Sequence, residues 1–129
     1  MEERLHALPK PVVALARGPV LDDGIALLLA ADLALAGHSA TLQVSSADRL
    51  WESPAVLRAL GGSLGRRKVF DLLATGRALA AHEAAAFGLV SRVVADDALD
   101  AELETLVRAL LAGDPATLAL TKRALQGGR

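Results

Sequence analysis

The sequence contains no cysteine, and this absence removes several kinds of functional site at once. Disulfide bonds, thiolate nucleophiles and cysteine-ligated metals are all excluded. The three histidines, His6, His38 and His82, are too widely scattered to match the ligand spacing of a metal site. We therefore predict no metal site and no metal cofactor.

Aromatic residues and an excess of positive charge are also lacking. Aromatic side chains form 2% of the chain and tyrosine is absent, so base-stacking surfaces for nucleic acid are not expected. Fourteen basic and fifteen acidic residues give a formal net charge of −1, whereas a nucleic-acid-binding domain carries a strongly basic face. The composition predicts no nucleic-acid partner.

Long hydrophobic segments are missing as well. The longest apolar stretch covers residues 25–37 and is interrupted by Asp32, whereas a membrane-spanning helix needs roughly 20 apolar residues. The first residues include Glu2, Glu3 and Arg4 and lack the apolar segment of a signal peptide. We expect a soluble, cytoplasmic protein with no membrane partner.

The chain does have the composition of a globular protein, because 53% of its residues are hydrophobic and 22% are charged. We predict a single α/β domain over residues 1–129. Predicted strands cover residues 11–16, 33–36, 40–44 and 89–94. Predicted helices cover residues 22–31, 54–62, 64–74, 80–87, 96–111 and 116–125. The polar residues 45–53 are predicted to form a surface loop.

Particular residues mark the ends of these helices. Asp22 and Asp23 precede a strongly apolar run, and acidic residues there cap free amides and favour the positive end of the helix dipole. Gly76 and Gly88 follow two predicted helices, where glycine adopts the left-handed backbone conformation without steric cost. These residues predict where the chain stops and reverses.

Residues 72–94, LLATGRALAAHEAAAFGLVSRVV, resemble the crotonase (enoyl-CoA hydratase/isomerase) family. That family has a helix ending in L-T-G-R, then x-A-x-E-A, then a G-L-V-x-x-V-V strand. Residues 10–14 (KPVVA) with Gly18 and residues 31–36 (ADLALA) resemble its KPVIAAVxG and CD-x-x-x-A segments. Residues 114–125 (DPATLALTKRAL) resemble its S-P-x-A-x-x-x-x-K-x-x-L helix.

This resemblance implies a crotonase-like (ClpP/crotonase) fold, in which a partial ββα spiral core is followed by C-terminal helices. It covers about residues 10–126, the central and C-terminal part of the family fold. The family's earlier strand-turn unit supplies one of two backbone amides that bind an enolate oxygen. The chain begins nine residues before Lys10, so we expect that unit to be missing.

The resemblance also implies an acyl-CoA thioester as substrate or ligand, and it leaves the acyl group unspecified. The amide of Asp23, followed by Gly24, takes the place of the second oxyanion donor. The family has three glycines here, and only Gly24 remains of them. Two unit charges about 6 Å apart at an effective dielectric near 20 repel by roughly 3 kcal/mol, so carboxylates at Asp22 and Asp23 oppose an enolate. The alternative is that they serve only to cap the helix.

The family's two catalytic glutamates are replaced in this chain. By the resemblance, the first corresponds to Ala26 and the second lies close to Ser45 or Ser46. Neither alanine nor serine acts as a general base near neutral pH. Asp48 and Glu52 follow in the same loop and are the candidate catalytic carboxylates; the alternative is that both are solvated loop charges.

Two hypotheses about function therefore stay open. The chain is either a hydratase or isomerase that uses Asp48 or Glu52 in a site completed by an oligomer partner, or a non-catalytic relative. The non-catalytic relative is an assembly or binding partner of another acyl-CoA enzyme, or a truncated remnant. The missing carboxylates favour weak or no catalysis. In either case we expect a homo-oligomer or a complex with a crotonase-family protein, and no cofactor apart from the CoA thioester.

Overall fold

A computed structural model describes residues 2–44 and 54–127, which form a mixed arrangement of helices and strands. The helices are α1 (Glu2–Ala7), α2 (Asp22–Ala30), α3 (Pro54–Leu64), α4 (Arg66–Thr75), α5 (Ala81–Ala86), α6 (Leu99–Ala112) and α7 (Pro115–Gly127). The strands are β1 (Val13–Ala16), β2 (Pro19–Leu21), β3 (Leu33–Gly37), β4 (Thr41–Gln43), β5 (Leu79–Ala80) and β6 (Arg92–Val94). A 3₁₀ turn, Asp96–Ala98, precedes α6. The α/β class predicted from the sequence is confirmed.

The first four strands alternate between two small sheets. One sheet has the order β1-β3-β6 and the other has the order β2-β4-β5. β1 and β3 pair in parallel, as do β3 with β6 and β2 with β4, while β5 runs antiparallel to β4. Gly18 makes the corner between β1 and β2 with a φ of 60°, a conformation that glycine adopts readily. The chain therefore forms a strand of one sheet, then a strand of the other sheet, and then a helix, first as β1-β2-α2 and again as β3-β4-α3.

Strand β3 is the middle strand of its sheet, and both of its faces are buried by core residues. Ala34 and Ala36 belong to the main core cluster, together with buried residues of α2. Leu35 points to the opposite face, where it packs with Leu99 and Leu106 of the α6 segment. Side chains alternate along a strand, so one short strand supports helices on both sides of the sheet.

Several elements differ from the prediction. α3 continues through Gly61 and Gly62 to Leu64, since Leu60 and Leu64 lie one turn apart and both enter the core. The predicted strand over residues 89–94 is shortened to β6, because Gly88 has a φ of 83° and the chain is still turning after it. β2 and β5 were not predicted.

Lys122 of α7 ties together the two ends of the chain. Its Nζ lies 2.9 Å from Asp32 Oδ2 and donates hydrogen bonds to the carbonyl oxygens of Leu5 and Lys10, at 2.8 and 2.9 Å. Asp32 Oδ2 also accepts a hydrogen bond from the Val12 amide at 2.8 Å. Only 6% of the Lys122 side chain is exposed. This ammonium group therefore holds α1, the segment before β1 and the end of α2 against α7.

Replacing Lys122 should destabilise the fold. Lys122→Met removes the cation and leaves Asp32 and two carbonyl groups without it, which should lower the free energy of unfolding by about 3 kcal/mol. Urea denaturation followed by circular dichroism measures this loss. The matched control is Lys68→Met, since Lys68 is exposed and lies 4.2 Å from the centre of the Phe87 ring; it should cost at most about 1 kcal/mol. Equal losses for the two variants would contradict the assignment.

Two glycines should respond in opposite directions to alanine. A Cβ on Gly37 would lie 2.1 Å from Asp96 Oδ1, an atom that accepts a hydrogen bond from the Ser39 amide. Gly37→Ala should therefore displace Asp96 and cost about 1 to 2 kcal/mol of unfolding free energy. Gly61→Ala, inside α3 with nothing near the new Cβ, should add about 0.5 kcal/mol.

A double-mutant cycle tests the reason for the Gly37 penalty. In an Asp96→Ala background the added methyl group no longer meets the carboxylate, so the penalty should largely disappear in urea denaturation. An undiminished penalty would show that Leu99, whose Cδ1 would lie 3.1 Å from the new Cβ, sets the limit instead.

Candidate functional site

The first turn of α2 lies beside the end of strand β4. Leu21 is the last residue of β2 and also the N-cap of α2, with an extended backbone at φ −114° and ψ 153°. In the parallel pairing of β2 with β4, Leu21 stands opposite Gln43, the last residue of β4. The predicted helix is therefore present, and its amino-terminal end is fixed by the sheet.

The amides at this end are suited to binding a negatively charged oxygen. The first N–H groups of a helix have no partner within the helix, and the helix dipole adds positive potential there. Asp23 and Gly24, the residues predicted to bind the oxyanion, both lie in this first turn. A Cβ on Gly24 would lie 3.0 Å from Val20 Cγ1, so a larger residue would push α2 away from β2.

Asp22 and Asp23 occupy the first turn of the helix and not the N-cap position. The N-cap residue is Leu21, so the expectation that these aspartates act as the capping residues needs correction. Their carboxylates still lie at the positive end of the helix dipole, where negative charge is favourable. Asp22 has a φ of 26°, in the region that favours glycine. A side chain in this conformation stores roughly 1 kcal/mol or more of backbone strain.

Ala26, at the place that the resemblance assigns to the first catalytic glutamate, is part of the core. It lies one turn into α2 and only 8% of its surface is exposed. A methyl group at this place cannot accept or donate a proton. The other predicted residues, Ser45, Ser46, Asp48 and Glu52, lie outside the described residues, so the catalytic role of Asp48 and Glu52 stays a prediction.

Gln43 is a polar residue at this site that the sequence analysis did not single out. Its Nε2 donates a hydrogen bond of 2.6 Å to the carbonyl oxygen of Gly76. Gly76 ends α4 in the left-handed conformation, with a φ of 66°, as predicted. A glutamine at the end of a short strand was the signal available in the sequence, and it does not identify the hydrogen-bond partner.

Charged groups hold the chain after Gly76. Arg77 Nε lies 3.0 Å from Asp71 Oδ2, and its Nη1 lies 3.4 Å from Glu83 Oε1. The hydrogen bonds that Arg77 donates to Asp71 and then to Glu83 raise the pKa of its guanidinium. The Ala80 amide, followed by Arg77, lowers the pKa of the Glu83 carboxyl. The Arg77 guanidinium and the Glu83 carboxyl are therefore charged near neutral pH, and Arg77 contacts both Glu83 and Asp71.

A small apolar cavity of about 20 Å³ lies beneath the first turn of α2. Its lining includes Ile25, Val44, Leu60 and Leu72, with Arg77 as its charged member. A volume of this size holds about one water molecule. A second, open space of about 980 Å³ lies at the opposite end of α2, against Lys122. The larger space is therefore not at the amides that could bind an oxyanion.

Within residues 2–44 and 54–127, no group of three or more metal-ligating side chains of the His, Cys, Asp or Glu types comes together. The same residues include no helix with the length and apolar character needed to cross a membrane.

Sequence comparison relates the chain to one family along nearly its whole length. The sequence model of the family described as enoyl-CoA hydratase/isomerase matches residues 2–128. A Bacillus subtilis (strain 168) protein named for enoyl-CoA hydratase/isomerase is 35% identical over 130 residues, covering 96% of this chain and 48% of that protein. The chain thus spans about half the length of the curated relatives that it matches.

Structure comparison gives the same relationship. A monofunctional enoyl-CoA isomerase from M. smegmatis has a TM-score of 0.89 at 32% identity, covering 98% of this chain and 60% of that one. A Thermobifida fusca YX protein named for enoyl-CoA hydratase, solved in complex with acetoacetyl-CoA, has a TM-score of 0.84 at 33% identity. That similarity covers 97% of this chain and 50% of the other. The predicted crotonase-like fold is confirmed.

Two substitutions of Asp22 test whether its positive φ is strained. Both of them remove the carboxylate, so they differ only in whether a Cβ is present. Asp22→Gly relieves the strain of a positive φ, whereas Asp22→Ala keeps a Cβ in that conformation. We expect the glycine variant to be more stable than the alanine variant by about 1 kcal/mol. Urea denaturation of the two variants measures the difference. An alanine variant as stable as the glycine variant would show that the turn relaxes without strain.

Proposed function

Because the chain belongs to the enoyl-CoA hydratase/isomerase family, we propose that it binds an acyl-CoA thioester and has weak or no hydratase or isomerase activity. The observation that supports this proposal is the first turn of α2, which presents backbone amides beside the end of β4 while Ala26 fills the core behind them. The ligand is the thioester itself, and the proposal includes no cofactor.

Binding is supported by groups that belong to the main chain. The thioester carbonyl would accept hydrogen bonds from the amides of Asp23 and Gly24, and preorganised amides of this kind favour a developing negative charge. The Thermobifida fusca relative was solved in complex with acetoacetyl-CoA. A β-keto thioester of this type is therefore the first ligand to try.

Weak catalysis follows from the side chains around these amides. Hydration of an enoyl thioester and movement of its double bond both need a group that transfers a proton. Ala26 provides none, and Asp23 puts a negative charge next to the place where the enolate oxygen would form. Enzymatic activity through Asp48 or Glu52 is the alternative, and it requires one of these carboxylates to reach the substrate.

Assembly with a second chain is part of the proposal, either with another copy or with a relative of the same family. Three leucines of the C-terminal helices are largely exposed: 79% of Leu111, 62% of Leu120 and 76% of Leu125. Apolar side chains grouped on adjoining helices commonly contact a partner. Size-exclusion chromatography with light scattering should show a species larger than the 13.3 kDa chain. A stable monomer over the whole concentration range would argue against it.

Binding and turnover should separate in a direct assay. We expect calorimetry to show binding of acetoacetyl-CoA, and incubation with crotonyl-CoA to leave the absorbance of its conjugated thioester nearly unchanged. The matched variants are Asp48→Ala and Glu52→Ala. Rapid turnover that either variant abolishes would replace the proposal with the enzymatic alternative. Failure to bind acetoacetyl-CoA more tightly than free CoA would remove the proposed function altogether.

A further inference from the structure

We propose that Gln43 is a positioning residue for the thioester-binding amides of α2, acting through its hydrogen bond to the Gly76 carbonyl. This inference rests on the proposed function, since it concerns the same site. Gln43 does not touch the substrate in this proposal. It fixes the end of β4, and β4 in turn fixes the start of α2.

Backbone pairing holds the last residue of β4 only on the side of β2. The antiparallel pairing of β4 with β5 joins Thr41 to Ala80 and Leu42 to Leu79, and goes no further along the strand. The parallel pairing with β2 continues one residue more, to Gln43 opposite Leu21. The Gln43 side chain supplies the missing attachment on the β5 side, through Nε2 and the Gly76 oxygen at 2.6 Å.

The acceptor of this hydrogen bond belongs to a well-anchored turn. The Gly76 amide donates to the Leu72 carbonyl at 3.0 Å. On one side of Gly76, Thr75 Oγ1 donates to the Asp71 carbonyl at 2.6 Å. On the other side, Arg77 is paired with Asp71 and Glu83. A hydrogen bond to such a turn restrains its donor better than one to a mobile segment, because the turn has few alternative conformations.

The strand pair connects Gln43 to the amides. Leu21, opposite Gln43, is the N-cap of α2, and only Asp22 separates it from Asp23 and Gly24. A displacement of the β4 end therefore passes to the first turn of the helix through the strand pair. Amides that bind a developing oxyanion act well only within a narrow range of positions. Loss of the Gln43 bond should therefore weaken thioester binding specifically.

The test compares two ligands on the full chain. Gln43→Leu and Gln43→Met both remove the hydrogen-bond donor at a similar side-chain volume and add no charge, so two different replacements report on one bond. Calorimetry with acetoacetyl-CoA and with free CoA separates the contribution of the acetoacetyl thioester to the affinity from the contribution of the CoA moiety. We expect both variants to bind acetoacetyl-CoA roughly tenfold more weakly, because the amides of α2 lose part of their restraint, and to bind free CoA within a factor of about two of the wild-type affinity.

The near-ultraviolet absorbance of bound acetoacetyl-CoA adds a spectroscopic readout. The amides of α2 favour the enolate form, so the fraction bound as enolate should fall in both Gln43 variants. The matched control is Ser91→Ala, which removes the hydrogen bond between Ser91 Oγ and the Ala34 amide in the other sheet. This control should lower the melting temperature and leave both affinities and the enolate absorbance unchanged.

The outcomes distinguish this inference from the function on which it rests. Unchanged acetoacetyl-CoA affinity in the Gln43 variants, or an equal loss for acetoacetyl-CoA and free CoA, would overturn the positioning role and leave the proposed function intact. A wild-type chain that binds acetoacetyl-CoA no better than free CoA would overturn both.

Discussion

Strand β2 passes into helix α2 without an intervening residue, and the geometry of the candidate site depends on this junction. Leu21 serves as the last residue of the strand and as the N-cap of the helix. Its parallel pairing with the end of β4 sets both the direction of α2 and the position of the first amides of the helix. The junction is tight at Gly24, because a Cβ there would lie 3.0 Å from Val20 Cγ1. The position of the first turn of α2 is therefore set by the strand pairing at Leu21 and by the close contact at Gly24.

The two ends of α2 have different roles as a result. The carboxyl end is closed by the buried Lys122 and its three acceptors, which join the first and last helices of the described chain. The amino end carries main-chain donors and two aspartates, and its neighbours are the strand end and the Gly76 turn. Anchoring one end of a buried helix restrains the other, because a helix of nine residues moves as a rigid rod.

Local chemistry was sufficient to predict some of these features and insufficient for others. Gly76 and Gly88 were predicted as turning points because few residues besides glycine adopt a positive φ, and both do so here. α3 continues past the Gly61–Gly62 pair because its leucines gain burial, which depends on the tertiary structure. β2 and β5 have only three and two residues and exist through pairing with β4. Gln43 was missed for the same reason, since its partner lies 33 residues away.

Binding and catalysis rest on different parts of the chain in this family fold, and substitution affects them differently. Main-chain amides persist whatever side chain a residue carries, so Asp23 can present its N–H group where the family has a glycine. A proton-transfer group exists only as a side chain, so Ala26, at the place that the resemblance assigns to a catalytic glutamate, supplies none. Sequence divergence along one helix can therefore remove acid–base chemistry while the anion-binding geometry remains. For this reason the family relationship supports thioester binding more strongly than it supports turnover.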